Sequence, residues 1–203
     1  IKKKSKSYQI HVKGLGYLKL KKNANLNFGN SGTLARLMIG VLSTTSGIEV
    51  NMTGDHSLNK RSMKKVISLM EKFGAYFVPK NKTNFPLRLI SSEMPIGIDY
   101  NANFSAQLKS AVIFAGLNSY GKTKINELQN SRDHTERMLL DNHKVIKVKK
   151  NPKKIIEIYG KKSLKKININ VPNDPSAGAF YSALTLLNQN SLIKLKNVGL
   201  NST

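Results

Sequence analysis

The chain has 203 residues, no cysteine, and 34 Lys plus Arg against 11 Asp plus Glu, a formal net charge of +23. That composition excludes a disulfide framework and thiolate chemistry, and no run of about 18 apolar residues is present to cross a membrane. The chain opens on Ile1 and closes in a polar stretch, so it reads as a piece of a longer protein, and its N-terminal lysines lack the apolar run of a signal peptide.

Lysine, asparagine and isoleucine are all abundant, which makes much of the lysine excess a solvated surface. Basic clusters at Lys2–Lys4, 149–154 and 161–166 suit nucleic acid or an acidic partner, but they carry no interleaved aromatics for base stacking. Arginine is scarce: it stands only at 36, 61, 88, 132 and 137. A planar fork for bidentate binding of phosphate or carboxylate requires arginine. Four of the five fall in polar motifs, and Arg88 alone lies in a plain strand-like run.

Residues 29–37 read Gly-Asn-Ser-Gly-Thr-Leu-Ala-Arg-Leu. Small polar residues run into Leu34, Leu37, Met38, Val41 and Leu42, the stripe of an amphipathic helix. The pattern predicts a helix over 32–42 with Asn30 as N-cap. A helix N-terminus presents unpaired N–H groups to an anion. A turn at 44–47 and a strand over 47–53 follow, then a helix over 60–73 with Met63, Val66, Ile67 and Met70 inward. Strand-like runs come next at 75–78, 87–90 and 96–100. The order then repeats: a helix from 105 to 117, a turn at 118–121, a strand over 122–128, a helix over 133–142, and strands over 144–149 and 155–159 joined by Asn151-Pro152. Ile167, Ile169 and Val171 alternate as a further strand. A third helix is expected over 176–187, with a strand over 191–198 behind it. The helix starts recur at roughly 70–75 residues, the signature of a repeated β-α-β-α-β-β unit.

Four motifs carry the chemistry. The first is Asn30-Ser31-Gly32-Thr33 with Arg36. The second runs from Thr53 to Met63 and places Lys60 and Arg61 ahead of the expected helix, where a bound anion offsets their poor position in its dipole. The third, Asn103-Phe104-Ser105-Ala106-Gln107-Leu108-Lys109-Ser110, opens the second repeat's helix, with Ser105 able to cap it or to donate to a phosphate. The fourth runs from Asn130 to Leu139, with Arg132 at a helix start, Ser131 or Asp133 as cap, and Asp133, Glu136 and Arg137 as helix-surface charges. His134 has no second ligand at metal spacing, so no metal site is read. No Walker loop, G-x-G-x-x-G or G-x-S-x-G is present.

In this order and spacing the motifs resemble 5-enolpyruvylshikimate-3-phosphate (EPSP) synthase, the 3-phosphoshikimate 1-carboxyvinyltransferase family, over nearly the whole chain. The stretches 171–177 and 195–201 fit it too. The resemblance implies an α/β fold of repeated βαβαββ units in two inside-out, barrel-like lobes, of which this chain is about half. Residues 1–171 would belong to the first lobe and 172–203 would start the second. It implies transfer of the enolpyruvyl group of phosphoenolpyruvate to the 5-hydroxyl of shikimate 3-phosphate, in aromatic amino acid biosynthesis, with glyphosate competing at the phosphoenolpyruvate site.

By motif, Ser105, Ala106, Gln107, Ser131, Arg132 and His134 would hold shikimate 3-phosphate, and Asn30, Gly32, Thr33, Arg61 and Gln107 would hold phosphoenolpyruvate. Ala106 stands where many members have a second serine, and His134 replaces a tyrosine. The family's N-terminal Lys-Ser…Arg element would precede residue 1, and its acid/base Asp and Glu would follow Thr203. The piece alone would therefore bind but not turn over, and no catalytic residue is assigned within it. The resemblance further implies a cytoplasmic monomer with two small-molecule substrates, no cofactor, no metal, and neither membrane nor nucleic acid as partner. The alternatives are a UDP-N-acetylglucosamine enolpyruvyltransferase, disfavoured by the absence of a mobile-loop Cys or Asp in an arginine-rich motif, and a lysine-rich nucleic-acid-binding module.

Overall fold

The computed structural model describes residues 2–4, 7–9, 20, 23–150, 153–165, 167 and 169–199, the first two stretches by backbone alone. The predicted Asn151-Pro152 turn, the side chains of Lys2–Lys4 and Lys166, and the motif's last residues 200–201 lie outside the described residues. The chain divides into two compact units, Ile1–Ile96 and Gly97–Thr203. A short antiparallel pair, β1 (Lys2–Lys4) and β2 (Ser7–Gln9), opens the first unit with Lys3 opposite Tyr8.

The other described elements of the first unit form one layer of helices on one sheet. Its elements are β3 (Ala24–Asn27), α1 (Gly32–Ser43), β4 (Glu49–Thr53), α2 (His56–Lys60), α3 (Lys64–Lys72), β5 (Tyr76–Val78) and β6 (Leu87–Ile90). Strand order is β3-β4-β6-β5: β3 pairs parallel with β4, and the other pairings are antiparallel. Alternation along the strands sends Val50, Met52, Leu87, Leu89 and Phe77 into the core and leaves Asn51 outside. This is the two-residue period of a sheet covered on one face. α3 buries Val66, Ile67 and Met70, with Met63 beside them, as its spacing predicts.

The second unit repeats the topology. Its elements are β7 (Asp99–Ala102), α4 (Ala106–Asn118), β8 (Lys122–Glu127), α5 (His134–Leu139), β9 (Ile146–Lys149) and β10 (Lys154–Tyr159). Strand order is β7-β8-β10-β9, again with one parallel pair at the first edge and antiparallel pairs beyond it. The expected βαβαββ repeat is thus present twice, with matching strand order. A last helix, α6 (Pro175–Leu186), is capped by Asp174 and buries none of its residues.

Five expectations are corrected. The cap of α1 is Ser31, whose Oγ accepts from Leu34 N–H at 3.1 Å; Asn30 turns elsewhere. The buried line of α1 is Gly32, Ala35, Ile39, Gly40, Leu42 and Ser43, so only Leu42 of the predicted stripe is buried and Leu34 is 47% exposed. Small residues let that face lie close to its neighbours, and the larger side chains take the flanks. The helix expected over 60–73 starts only at Lys64: Lys60 ends the separate short helix α2, and Arg61 takes extended backbone (φ −77°, ψ 134°). Ile167, Ile169 and Val171 belong to no strand, and Ile169 and Val171 are exposed; alternation alone does not make a strand without a partner edge. The strand expected over 191–198 is reduced to one isolated bridge between Asn173 and Val198. Part of the 149–154 basic cluster is paired internally: Lys149 meets Glu157 at 3.1 Å and Lys154 meets Glu127 at 2.7 Å.

Candidate functional site

In the first unit the β3–α1 and β4–α2 connections meet. Gly29 takes a positive φ of 55°, and its carbonyl accepts from Asp55 N–H at 2.8 Å. Gly54 is required there: a Cβ would stand 2.5 Å from Leu58 Cδ2 and 2.8 Å from the Gly29 carbonyl oxygen. Asp55 caps α2, accepting from Leu58 N–H at 2.7 Å, and its other oxygen accepts from Asn30 Nδ2 at 2.6 Å. Asn30 Oδ1 then accepts from Arg61 Nη2 at 2.8 Å, and Ser57 Oγ accepts from the same nitrogen at 3.3 Å. A cap, an amide and a guanidinium form one chain of hydrogen bonds, so Arg61 is held in place although it is exposed.

Arg36 closes the cluster. A Cβ on Gly32 would lie 3.1 Å from Arg36 Nη1 and 3.4 Å from Arg61 Nη1. Two guanidiniums therefore border the same glycine at the start of α1. Burial lowers the Arg36 pKa, and the neighbouring Arg61 charge lowers it further. The Asp55 carboxyl is held below its ordinary value by the Leu58 N–H, with help from Asn30 and the Arg61 charge. Two cations against one carboxylate leave a net positive patch on the positive end of a helix. The positive character of this surface comes from these side chains more than from the N–H groups first expected, since Gly32 N–H already reaches Asn30 O and Leu34 N–H reaches Ser31. Of the residues singled out, Asn30, Gly32 and Arg61 meet here, and Thr33 is exposed in the first turn of α1. Lys60 lies in the last turn of α2, where a cation suits the dipole, so the unfavourable placement expected of the Lys60-Arg61 pair is not found.

In the second unit two helix starts converge. Ser105 caps α4, its Oγ accepting from Leu108 N–H at 3.4 Å; Ala106 and Gln107 are half-buried in the first turn. Ser131 is buried, while Arg132 and His134 are exposed at the start of α5. Ser110 Oγ and Thr135 Oγ1 lie 2.7 Å apart and tie the two helices. Asp133 occupies the cap position of α5 without capping it; its carboxylate accepts from Arg137 Nε at 2.8 Å. Burial pushes the Asp133 carboxyl up, but the Arg137 hydrogen bond and charge outweigh it and hold it low. Ser131 does not cap α5 either: its O–H and N–H both donate to Glu127 Oε1, at 2.8 and 3.0 Å.

Sequence reasoning gave Lys109 and Glu127 no role and read Glu136 as a helix-surface charge; all three are buried beneath this surface. Lys109 is fully buried against Glu127 at 2.8 Å and Glu136 at 2.7 Å. Burial raises the Glu127 carboxyl, yet hydrogen bonds from Lys109, Lys154 and Ser131 bring it down to about 2. The signal was present: Lys109 is the one charge in an otherwise apolar helix, and Glu127 continues the inward line of Thr123 and Ile125. Among the described residues no cluster of His, Cys, Asp and Glu can hold a metal ion, and no helix is long and apolar enough to cross a membrane.

The family model for EPSP synthase (3-phosphoshikimate 1-carboxyvinyltransferase) matches residues 1–203. The chain belongs to the EPSP synthase family. It is 40% identical over 205 residues to the 3-phosphoshikimate 1-carboxyvinyltransferase of Bacillus subtilis, covering 100% of this chain and 46% of that protein. It is 38% identical over 199 residues to the enzyme of the same name from Novosphingobium aromaticivorans, covering 97% and 45%. Among solved structures, EPSP synthase from Acinetobacter baumannii matches with a TM-score of 0.70 at 36% identity, over 88% of this chain and 40% of that one. The chain thus spans less than half the length of these EPSP synthases.

Proposed function

We propose that this chain is the part of a 3-phosphoshikimate 1-carboxyvinyltransferase that receives both substrates. The observation that carries the reading is the pair of guanidiniums beside Gly32, in a chain whose sequence matches the EPSP synthase model from end to end. On this reading Arg61 forks onto the phosphoenolpyruvate anion, Arg36 adds a second positive charge, and Asn30, Gly32 and Thr33 line the same surface. Gly32 keeps the approach open, because any side chain there would meet both guanidiniums. In the second unit Ser105, Gln107, Ser131, Arg132 and His134 serve shikimate 3-phosphate, with Ala106 leaving room where another member has a hydroxyl. Residues 1–171 fall to the first lobe and 172–203 to the start of the second, in a cytoplasmic monomer.

The reaction is enolpyruvyl transfer. The terminal enol carbon of phosphoenolpyruvate takes a proton, and the 5-hydroxyl of shikimate 3-phosphate attacks the neighbouring carbon as it loses its own. The tetrahedral intermediate then expels inorganic phosphate and gives back a proton to restore the enol ether. The residues of this chain contribute by holding two polyanions in place against their mutual repulsion, which is positioning and electrostatic stabilisation rather than proton transfer.

The test is twofold. The full-length protein carrying this chain is expected to release phosphate from phosphoenolpyruvate only when shikimate 3-phosphate is present. The 203-residue chain, titrated calorimetrically with shikimate 3-phosphate, is expected to bind weakly and to release no phosphate. Absence of shikimate 3-phosphate-dependent release by the full-length protein would overturn the reading.

A further inference from the structure

In the second unit four charged side chains cluster together away from solvent. Lys109 and Glu127 have 0% side-chain exposure, Glu136 has 4% and Lys154 has 15%. Each comes from a different element: α4, the end of β8, α5 and β10. A buried ion cluster adds little net stability over apolar packing of the same volume, so stability alone does not account for it. Its contacts do. Lys109 Nζ lies 2.8 Å from Glu127 Oε1 and 2.7 Å from Glu136 Oε1, and donates to the Ser131 carbonyl at 3.4 Å. Glu127 Oε1 accepts from both Ser131 N–H and Ser131 O–H. Lys154 completes the set, 2.7 Å from Glu127 Oε2 and 3.2 Å from Glu136 Oε1. Every polar group of Ser131 is engaged by this cluster.

We propose that Lys109 and Glu127 are positioning residues that clamp the main chain of Ser131, so that the loop into α5 presents Ser131 and Arg132 to the phosphate of the substrate. The proposal rests on the reading of this surface as the shikimate 3-phosphate side. Lys109 follows Ser105 by one helical turn, on the same face of α4, so one side chain ties both proposed phosphate-binding segments to the sheet. Ser131 O–H is one of three donors to Glu127 Oε1, the others being Lys109 and Ser131 N–H, and Lys154 pairs by charge with Oε2. The hydroxyl can swing to a phosphate while Lys109 and Ser131 N–H still donate to Oε1, Lys154 still pairs with Oε2, and the main chain stays clamped.

The experiment uses the full-length protein carrying this chain, with Glu127→Gln and the charge-balanced double change Lys109→Met/Glu136→Gln. The double change removes one positive and one negative charge and keeps the Lys154–Glu127 pair, so it leaves no buried charge without a partner. KM for shikimate 3-phosphate is expected to rise about tenfold or more in both, with KM for phosphoenolpyruvate within about twofold of the parent. A merely structural role lowers thermal stability without that split. Folded variants whose KM for shikimate 3-phosphate stays within about twofold of the parent overturn the proposal. Amide exchange on the unmodified protein tests the clamp independently. Ser131 N–H is expected to be protected like the core of α4, and exchange at exposed-loop rates overturns the clamp. A parent that binds no shikimate 3-phosphate overturns both this inference and the function it rests on; a binding parent with unaffected variants overturns the clamp alone.

Discussion

At the scale of single residues the first unit's cluster turns on the shape of arginine. Arg61 reaches Asn30 and Ser57 through one nitrogen and faces Gly32 with the other. Lysine has one nitrogen and no fork, so Arg61→Lys should raise KM for phosphoenolpyruvate in the full-length protein by about tenfold or more, while circular dichroism stays unchanged. Gly32→Ala adds a methyl carbon 3.1 Å from Arg36 Nη1 and 3.4 Å from Arg61 Nη1. Both guanidiniums must then yield by a few tenths of an ångström. Glyphosate inhibition is expected to weaken in this variant, and identical inhibition curves would remove Gly32 from the site. Arg36 was not assignable from sequence, because helical spacing gives a residue's face but not what a loop 25 positions later brings against it. Arg61 stood out through the scarcity of arginine and its polar motif, while the contact of Arg61 with Gly32 joins two segments that no local pattern connects.

At the scale of elements, α1 depends on its cap. Ser31→Ala is expected to cost about 1 kcal/mol, read from urea unfolding. Leu58→Ala opens the apolar seat beneath Gly32 and Gly54, at a cost of about 2–5 kcal/mol. It should also release α2 and with it the hold on Arg61. The order of helices and strands was readable because turn residues and apolar periods mark each change of element. Strand order was not: nothing local says that β6 inserts between β4 and β5, a long-range pairing. The later start of α3 was hidden because the apolar period of Met63, Val66, Ile67 and Met70 begins one residue ahead of it and says nothing of Arg61 and Ser62. Lys109 escaped notice because lysine is ordinarily a surface residue, and its partners Glu127 and Glu136 lie on other elements.

At the scale of the whole molecule the carboxylates set the acid limit. Glu127 and Glu157 both titrate at about 2, below the ordinary value of 4.5. For Glu157 the cause is hydrogen bonding from Lys122 and Lys149. A folded-state pKa below the unfolded one adds stability above the unfolded value, and that stability is lost as pH falls through the folded value. Urea midpoints are therefore expected to drop steadily between about pH 4.5 and 2. Glu127→Gln should flatten that slope, and an unchanged slope would show that Glu127 is not among the groups responsible. The near-identity of the two sheets is what made the molecule readable at this scale: a second copy of the same element order confirms the first.

The buried quartet of Lys109, Glu127, Glu136 and Lys154 carries no net charge, inside a chain of net charge +23. Dissolved ions act over a Debye length of about 8 Å at physiological ionic strength, and they do so through solvent. Added salt should therefore relax the mutual repulsion of the surface lysines and leave the quartet's interactions as they are. The same protein then answers ionic strength in two ways at once: an exterior tuned by dissolved ions, and an interior insulated from them whose hold on Ser131 is expected to be the same at low and high salt.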